Sequence, residues 1–599
     1  MTRLVFLALL ASTAPLAAQG AQPQPLTAKL TETLMGPLVV NGQPARFFLS
    51  EDGNHIALVG TKGSRQVVLL DGVEGPAFDE IPTSFINGQG SVYWSPTGGH
   101  SGYVGRRGGD YIAVVDGREA ATVATSQTQV GGYGTGTGWR FWFSHDGAKM
   151  AYAVMPEAGA WIMLDNGVKS PIYKAIDFGS VQLHGIRLVY AAQSLDSQWH
   201  VVADGKPGPG YAEVSGLTVT PDGAHYAYIA QRNVAGQVTQ LAVNDGVEGK
   251  PYKSVGNLEQ APDGRIAYVV AYKPADITPA GGPGGLWVGG TVYPRTTTFN
   301  LAKPGAYSNA GFSIQYVAWS ADGKRAAWIQ TDPFTPGSTT PPGVTVLVNG
   351  KPMGPTYAAA GELHWSPDGS HLAYVARSPS GTFPVIDGQE GAAYNLIHTI
   401  SFGADGARVL ILGSGQGGPI AVLDGKPQPK AMGFSTTEYP AWSPDGKHVA
   451  WGAQNTVSTY AALVDGVARP GSLGNFMAMN YAQPRVTFPQ LVWSPDGTHL
   501  AYVAQRMDGT GKQVVYLDNT AYEGPPGSYT YPSFSPDSKH FAAIMTTGTG
   551  WLAFIDGKVS PAYQDMLKGP AAAARFIGPL TYRFYGVKAG MIYRVTLEL

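Results

Sequence analysis

The chain has 599 residues, among them 80 glycines, 45 prolines and no cysteine, and its 40 Lys and Arg nearly balance 42 Asp and Glu for a formal net charge of −2. That balance argues against nucleic acid or an anionic membrane surface as the main partner, because both need a basic patch. Without cysteine there are no disulfides, no thiol nucleophile and no cysteine-linked lipid anchor, and a charged fraction of 14 % with so much glycine suits many short strands joined by tight turns.

Residues 1–21 read as a targeting segment: Arg3 supplies the positive start, Leu4 to Leu10 a short apolar core, and Ala14 to Ala18 a run of small residues suited to a signal peptidase. The apolar run is too short for a stable bilayer span and no other stretch approaches the length, so the expectation is an exported protein, periplasmic or secreted, with no integral membrane span. Residues 26–48 resemble the back half of a repeating unit, with a hairpin at Asn41-Gly42.

From there a strand, tight turn, strand pattern recurs. It is plainest at Trp365-Ser366-Pro367-Asp368-Gly369, Trp442-Ser443-Pro444-Asp445-Gly446 and Trp493-Ser494-Pro495-Asp496-Gly497, with weaker copies around Asp52, Thr97, Asp146, Asp222, Asp263, Asp322, Asp405 and Asp537. Proline presets φ near −65°, the aspartate bonds its own backbone, and glycine takes positive φ without steric cost. A second signal interleaves: apolar strands ending in Asp71-Gly72, Asp116-Gly117, Asp204-Gly205, Asp245-Gly246, Asn349-Gly350, Asp387-Gly388, Asp424-Gly425, Asp465-Gly466 and Asp556-Gly557, the pairs a type I′ hairpin requires. Aromatics beyond several of these pairs, Tyr252, Tyr357, Tyr394 and Tyr563, are read as opening the next strand.

The unit is therefore four antiparallel strands, and its spacing of about 37 to 50 residues is that of a propeller blade. The fold class is all-β. The Trp-Ser-Pro-Asp-Gly-x-x-x-Ala-Tyr pattern resembles the PD40, WD40-like, repeats of the TolB propeller and of the propellers in prolyl-oligopeptidase-type peptidases. The resemblance covers nearly the whole chain after the targeting segment and implies a β-propeller; it carries little about activity, because propellers host many. The repeats lack the Trp-Asp dipeptide of true WD40 blades and the spacing of a sialidase Asp-box.

About twelve or thirteen units are expected, including a degenerate one around residues 183–211. A propeller usually has about 4 to 8 blades, so two are expected, over residues 22–290 and 291–599, divided in the irregular region 272–307. Strands from the two chain ends are expected to close one blade together.

Chemistry is sparse. His55, His225, His371, His448, His499 and His540 share one repeat position, which points to a structural role; His100, His145, His184, His200, His364 and His398 show no ligand spacing, so no metal or other cofactor is expected. No Gly-x-Ser-x-Gly elbow accompanies the repeats, so the peptidase part of the resemblance has no counterpart. The candidate binding residues are Trp139, Arg140 and Trp142 in a glycine-rich stretch at 131–142, suited to an interface or to stacking on a sugar, and the pair Arg106-Arg107. Trp142 has a plain alternative in strand packing, and Arg106-Arg107 in a solvated turn. The expected function is an envelope scaffold that binds a protein, a peptide or a carbohydrate; the alternative is a hydrolase or lyase acting on carbohydrate or peptide at a channel mouth.

Overall fold

The computed structural model describes residues 24–37, 39–40, 43–44, 46–50, 52–82, 92–124, 141–157, 160–234, 236–271, 284–288, 291–294, 317–331, 343–415, 418–428, 440–456, 459–471, 491–505, 513–523, 527–567 and 574–599. Among these residues all regular structure is β and none is helical. The strands form thirteen blades in a β-propeller arrangement. Twelve follow in sequence, at residues 46–74, 92–124, 141–169, 175–207, 213–248, 254–294, 318–352, 359–390, 396–427, 441–468, 492–522 and 527–559. The thirteenth combines residues 565–598 with Lys29–Pro37, which pairs antiparallel with Met591–Glu598 as the outermost strand. Gln24–Pro25 adds a fifth, parallel strand to the outer edge of blade 12.

Each blade runs a, b, c, d as an antiparallel meander, and both turn signals lie at the same end of it. The a–b turn is held from inside: in blade 8 Ser366 Oγ donates to Asp368 Oδ1 (2.5 Å) and accepts from the His371 amide (2.9 Å), and Asp368 Oδ1 accepts from the Ser370 amide (3.0 Å). The c–d turn is a two-residue hairpin with both residues at positive φ, 49° and 80° for Asp387 and Gly388, as type I′ demands. The two turns are then bound together. Asp387 Oδ1 accepts from the Leu372 amide (2.9 Å) and its Oδ2 meets His371 Nδ1 (2.5 Å).

The same arrangement joins His55 to Asp71, His225 to Asp245, His448 to Asp465, His499 to Asp518 and His540 to Asp556. A seventh pair, His100 with Asp116, belongs to the set (2.8 Å), although Thr97 replaces the turn aspartate. Two hairpins absent from the sequence reading extend the pattern: Asn166-Gly167, whose Oδ1 accepts from the Met150 amide, and Asp518-Asn519, which does without glycine. Blade 4 departs most. Its a–b turn is the tight His184-to-Arg187 hairpin, and Arg187 takes the histidine's place beside Asp204 at 3.3 Å.

The repeat tryptophans link one blade to the next. Trp94, Trp365 and Trp493 donate from Nε1 to the a-strand carbonyls of Phe48, Ala318 and Ala441 in the preceding blade, and Trp442 to Ser401 Oγ. The aromatics beyond the c–d hairpins do not open the next strand. Tyr252, Tyr357, Tyr394 and Tyr563 bridge back to the start of strand c at Gln240, Val344, Thr382 and Trp551, and the next a strand begins two residues later. The gain is burial: Tyr211, Tyr252 and Tyr357 pack edge-on against Tyr228, Tyr268 and Tyr374 of the following blade.

Hydrophobic cores lie between blades. Blades 6 and 7, on either side of the division expected after residue 290, share Val269, Leu286, Ala326, Trp328 and Leu347 in the same way that other neighbours do. Most of the irregular region 272–307 lies outside the described residues; Gly284–Val288 and Thr291–Pro294 within it are strands c and d of blade 6.

Asparagine already holds the hairpin position in blades 3 and 7, so Asp387→Asn keeps the Leu372 bond and is expected to cost under about 1 kcal/mol, whereas Asp387→Ala loses an acceptor for a strand amide and strains a left-handed residue, at about 2–4 kcal/mol. Chemical denaturation separates the two. The Asp71 hydrogen bond raises the pKa of His55, so this pair contributes stability below the ordinary histidine range and loses it as pH rises through the raised value. Thermal unfolding of His55→Ala against the parent is expected to show a larger loss at pH 6 than at pH 9.

Candidate functional site

The a–b and c–d turns occupy one end of every blade, so the b–c and d–a connections occupy the other. The first end is uniform. Apart from the blade 4 and blade 13 hairpins and the blade 6 turn, which is one residue shorter, its a–b connections are the same short turn, and its c–d connections among blades 1–12 are two residues long. The strand ends that bound the long connections all lie at the second end: Glu74 and Val92, Ala124 and Phe141, Ala271 and Gly284, Pro294 and Ala318, Thr331 and Val344, Pro427 and Ala441, and Ala468 and Val492. Trp139 and Arg140 fall in the second of these and lie outside the described residues.

Trp142 sits in strand a of blade 3 (Phe141–Phe143), partly buried against the core shared with blade 4, its ring 6.0 Å from Phe178. That is the packing alternative stated for it. Its neighbour Phe141 is buried against Tyr93 and Tyr152.

Arg106 and Arg107 end strand b of blade 2 and reach the segment that follows blade 1. Arg106 Nη2 lies 2.9 Å from Glu80 Oε2, and the two residues also bridge through their backbones. Arg107 pairs with Glu119 at 2.6 Å, donates to the Ala77 carbonyl at 3.1 Å and covers the Phe78 ring at 4.9 Å; the Glu119 hydrogen bond raises its pKa. Arg46 donates to the Ile81 carbonyl, and the Ile81 amide to Gln66 Oε1. Phe78 itself is fully buried beside Gly105, where an added Cβ would come within 2.2 Å of the ring. The arginines therefore fasten the root of the blade 1–2 connection to the blades while remaining at the surface.

A second group lines the a strands, combining His364 and His398, which the sequence shows without ligand spacing, with Glu259 and Glu362, which the sequence reading does not single out. These strands approach one another between neighbouring blades and the d strands do not, so they form the inner rim. Bulges interrupt them between Gly256 and Glu259, Gly361 and His364, and Ile397 and Thr399. Asn257 and Glu362 take left-handed φ, 49° and 57°. Burial pushes the carboxyls of Glu259 and Glu362 toward the protonated form and the imidazoles of His364 and His398 toward the neutral one. His364 is exposed to solvent yet surrounded by protein, which is why its cation is disfavoured. A protonable carboxyl and a neutral imidazole are acid–base groups; they lie on blades 6, 8 and 9, and among the described residues no three His, Asp or Glu gather closely enough to hold a metal ion. No helix among these residues is long and apolar enough to cross a membrane.

No protein-family model matches the chain, and no curated protein does. Solved structures similar to it include a eukaryotic initiation factor, at 14 % identity over 62 % of this chain and 96 % of that one with a TM-score of 0.27. TolB from Acinetobacter baumannii is 14 % identical over 57 % and 78 %, with a TM-score of 0.19. The β-propeller domain of the Trilobed protease from Pyrococcus furiosus is 11 % identical over 47 % and 93 %, with a TM-score of 0.21. At these scores the propeller assignment rests on this chain's own strand order and not on the likenesses.

A carboxyl whose folded pKa is raised contributes stability below its unfolded value and loses it as pH rises through the folded one. Glu362→Gln is therefore expected to match the parent in stability near pH 3.5 and to exceed it at pH 7.5, read by thermal unfolding. A deficit at pH 7.5 would show that the Glu362 carboxylate is instead held by a charge partner.

Proposed function

We propose that the chain is an exported cell-envelope propeller of the TolB-like kind that serves as a scaffold binding a protein or peptide, with the end that carries the long connections as its docking surface. The observation that carries this reading is the inequality of the two ends. One repeats a single hydrogen-bonded turn design from blade to blade, and such uniformity leaves nothing with which to recognise a particular partner. The other gathers every long, non-repeating connection on a rigid support, which is the usual division between scaffold and recognition loops. The arginine pairs of Arg106 and Arg107 hold one of these connections at its root. Export is supported by the positive start, short apolar core and small-residue run of residues 1–21.

The second reading, a hydrolase or lyase acting at the rim, is favoured by the shifted acid–base groups of Glu259, Glu362, His364 and His398. A hydrolase reading predicts turnover of a carbohydrate or peptide library that is lost in His364→Ala with stability retained.

The scaffold reading is tested by expressing the full chain in a Gram-negative host, fractionating the cells, and capturing crosslinked envelope proteins. The expected result is a chain shortened by about the targeting segment, outside the cytoplasm, with a captured partner that is lost when residues 125–140 are replaced by a short Gly-Ser linker and the melting temperature is unchanged. A full-length cytoplasmic chain, or capture indifferent to the connections, would overturn it.

A further inference from the structure

Every blade presents two faces, and each face needs an apolar neighbour. The described cores number one for each pair of blades adjacent in sequence, and the last closes the series: Met35, Leu567, Tyr585, Val587 and Ile592 of blade 13 pack against Ile56 and Leu58 of blade 1. That junction carries polar bonds as well. Arg583 Nη1 donates to Asn54 Oδ1 (2.6 Å), Arg594 Nη1 to the Asn54 carbonyl (3.1 Å) and the Tyr585 hydroxyl to the Gly53 carbonyl (3.3 Å). At the place where two propellers would part, Trp328 of blade 7 is buried against Val269 and Leu286 of blade 6, and Arg265 of blade 6 donates to the Gly323 carbonyl in the turn of blade 7. A molecule of two rings needs blade 6 to face blade 1 or blade 13 instead. Blade 6 is already covered by blades 5 and 7, blade 1 by blades 13 and 2, and blade 13 by blades 12 and 1.

We infer that the thirteen blades close into one ring around a water-filled passage wide enough to admit a polypeptide rod the size of an α-helix. Sheets packed about 10 Å apart put thirteen mid-blade positions on a circle of radius about 20 Å, and with strands about 4.8 Å apart the inner strands stand about 13 Å from the axis. Allowing for side chains, the clear width is about 20 Å, against about 10–12 Å for a helix with its side chains. A ring of six or seven blades leaves no such opening. Polar side chains reach the wall, with Asp177, Glu213 and Ser215 exposed on the inner strands of blades 4 and 5, beside an apolar one, Leu396, on that of blade 9. A small ligand cannot be enclosed by a passage of this width, whereas a segment of another protein can be. This inference rests on the packing of the blades and stands or falls apart from the export and docking proposals.

The absence of cysteine makes the test clean. Spin labels at Val73→Cys and Val247→Cys, both on exposed hairpin ends of blades 1 and 5, are expected about 45 Å apart in one ring of thirteen and about 30 Å apart in a ring of six. Electron micrographs of the unmodified chain are expected to show single discs with a central hole; paired smaller discs, or the shorter label distance, would overturn the ring. The width is tested separately with Ser215→Cys, offered a small maleimide and then a maleimide joined to a stable helical peptide. Reaction with both is expected. Failure of the peptide alone, or of both reagents, would overturn the open passage while leaving the ring count to the micrographs.

Discussion

The side-chain oxygen at the first position of the c–d hairpin, from Asp in nine blades and Asn in two, is the point on which the described blades 1–5 and 7–12 depend. A type I′ turn makes its first residue left-handed, and that conformation swings the Asp or Asn side chain over the neighbouring a–b turn. There its Oδ1 accepts the first amide of strand b and, in seven blades, its Oδ2 accepts histidine or is paired with it. Two hairpins distant in sequence become one hydrogen-bonded unit. The amides concerned are at buried strand starts, such as Leu372, Leu500 and Phe541, so leaving them without an acceptor would be costly.

Because this tie holds the a–b and c–d turns together, variation in connection length falls at the other end. The turn glycines stack against the preceding turn: a Cβ at Gly369 would meet Ser320 at 3.3 Å, and one at Gly497 would meet Asp445 at 2.8 Å. Insertion at that end is thus resisted from two sides, within the blade and between blades. At the opposite end the repeated bonds are made by the last residues before each a strand. There Tyr211, Tyr252, Tyr357, Tyr394 and Tyr563 bridge to strand c and, after all of these but Tyr252, the next residue's amide bonds the end of the following strand b; chain length varies outside these anchors. The asymmetry of function follows from where the hydrogen bonds are.

What was legible in the sequence was what is local. Pro-Asp-Gly and Asp-Gly specify their own turn geometry within four residues, so strand order, blade count to within one and the structural role of six of the seven hairpin-tied histidines could be read directly, His100 being left out of that set. Asn166-Gly167 and Asp518-Asn519 were missed because the tie needs only a side-chain oxygen and tolerance of positive φ, not the Asp-Gly pair itself. The tyrosines after the hairpins were misplaced because their burial depends on the next blade, which no local pattern reports. Glu362 and His364 were not singled out as a pair for the same reason: neither residue type nor spacing is unusual, and their shifted protonation comes from protein gathered around the inner rim.

The most direct measure of the central claim is amide hydrogen exchange on the intact chain. If the hairpin carboxylates bind the two turns into one unit, the amides of Ile56, Leu372, Val449, Leu500 and Phe541 exchange as slowly as the middle of the b strands they begin. Exchange of these amides at the rate of an exposed turn, with the strand interiors still protected, would contradict the account.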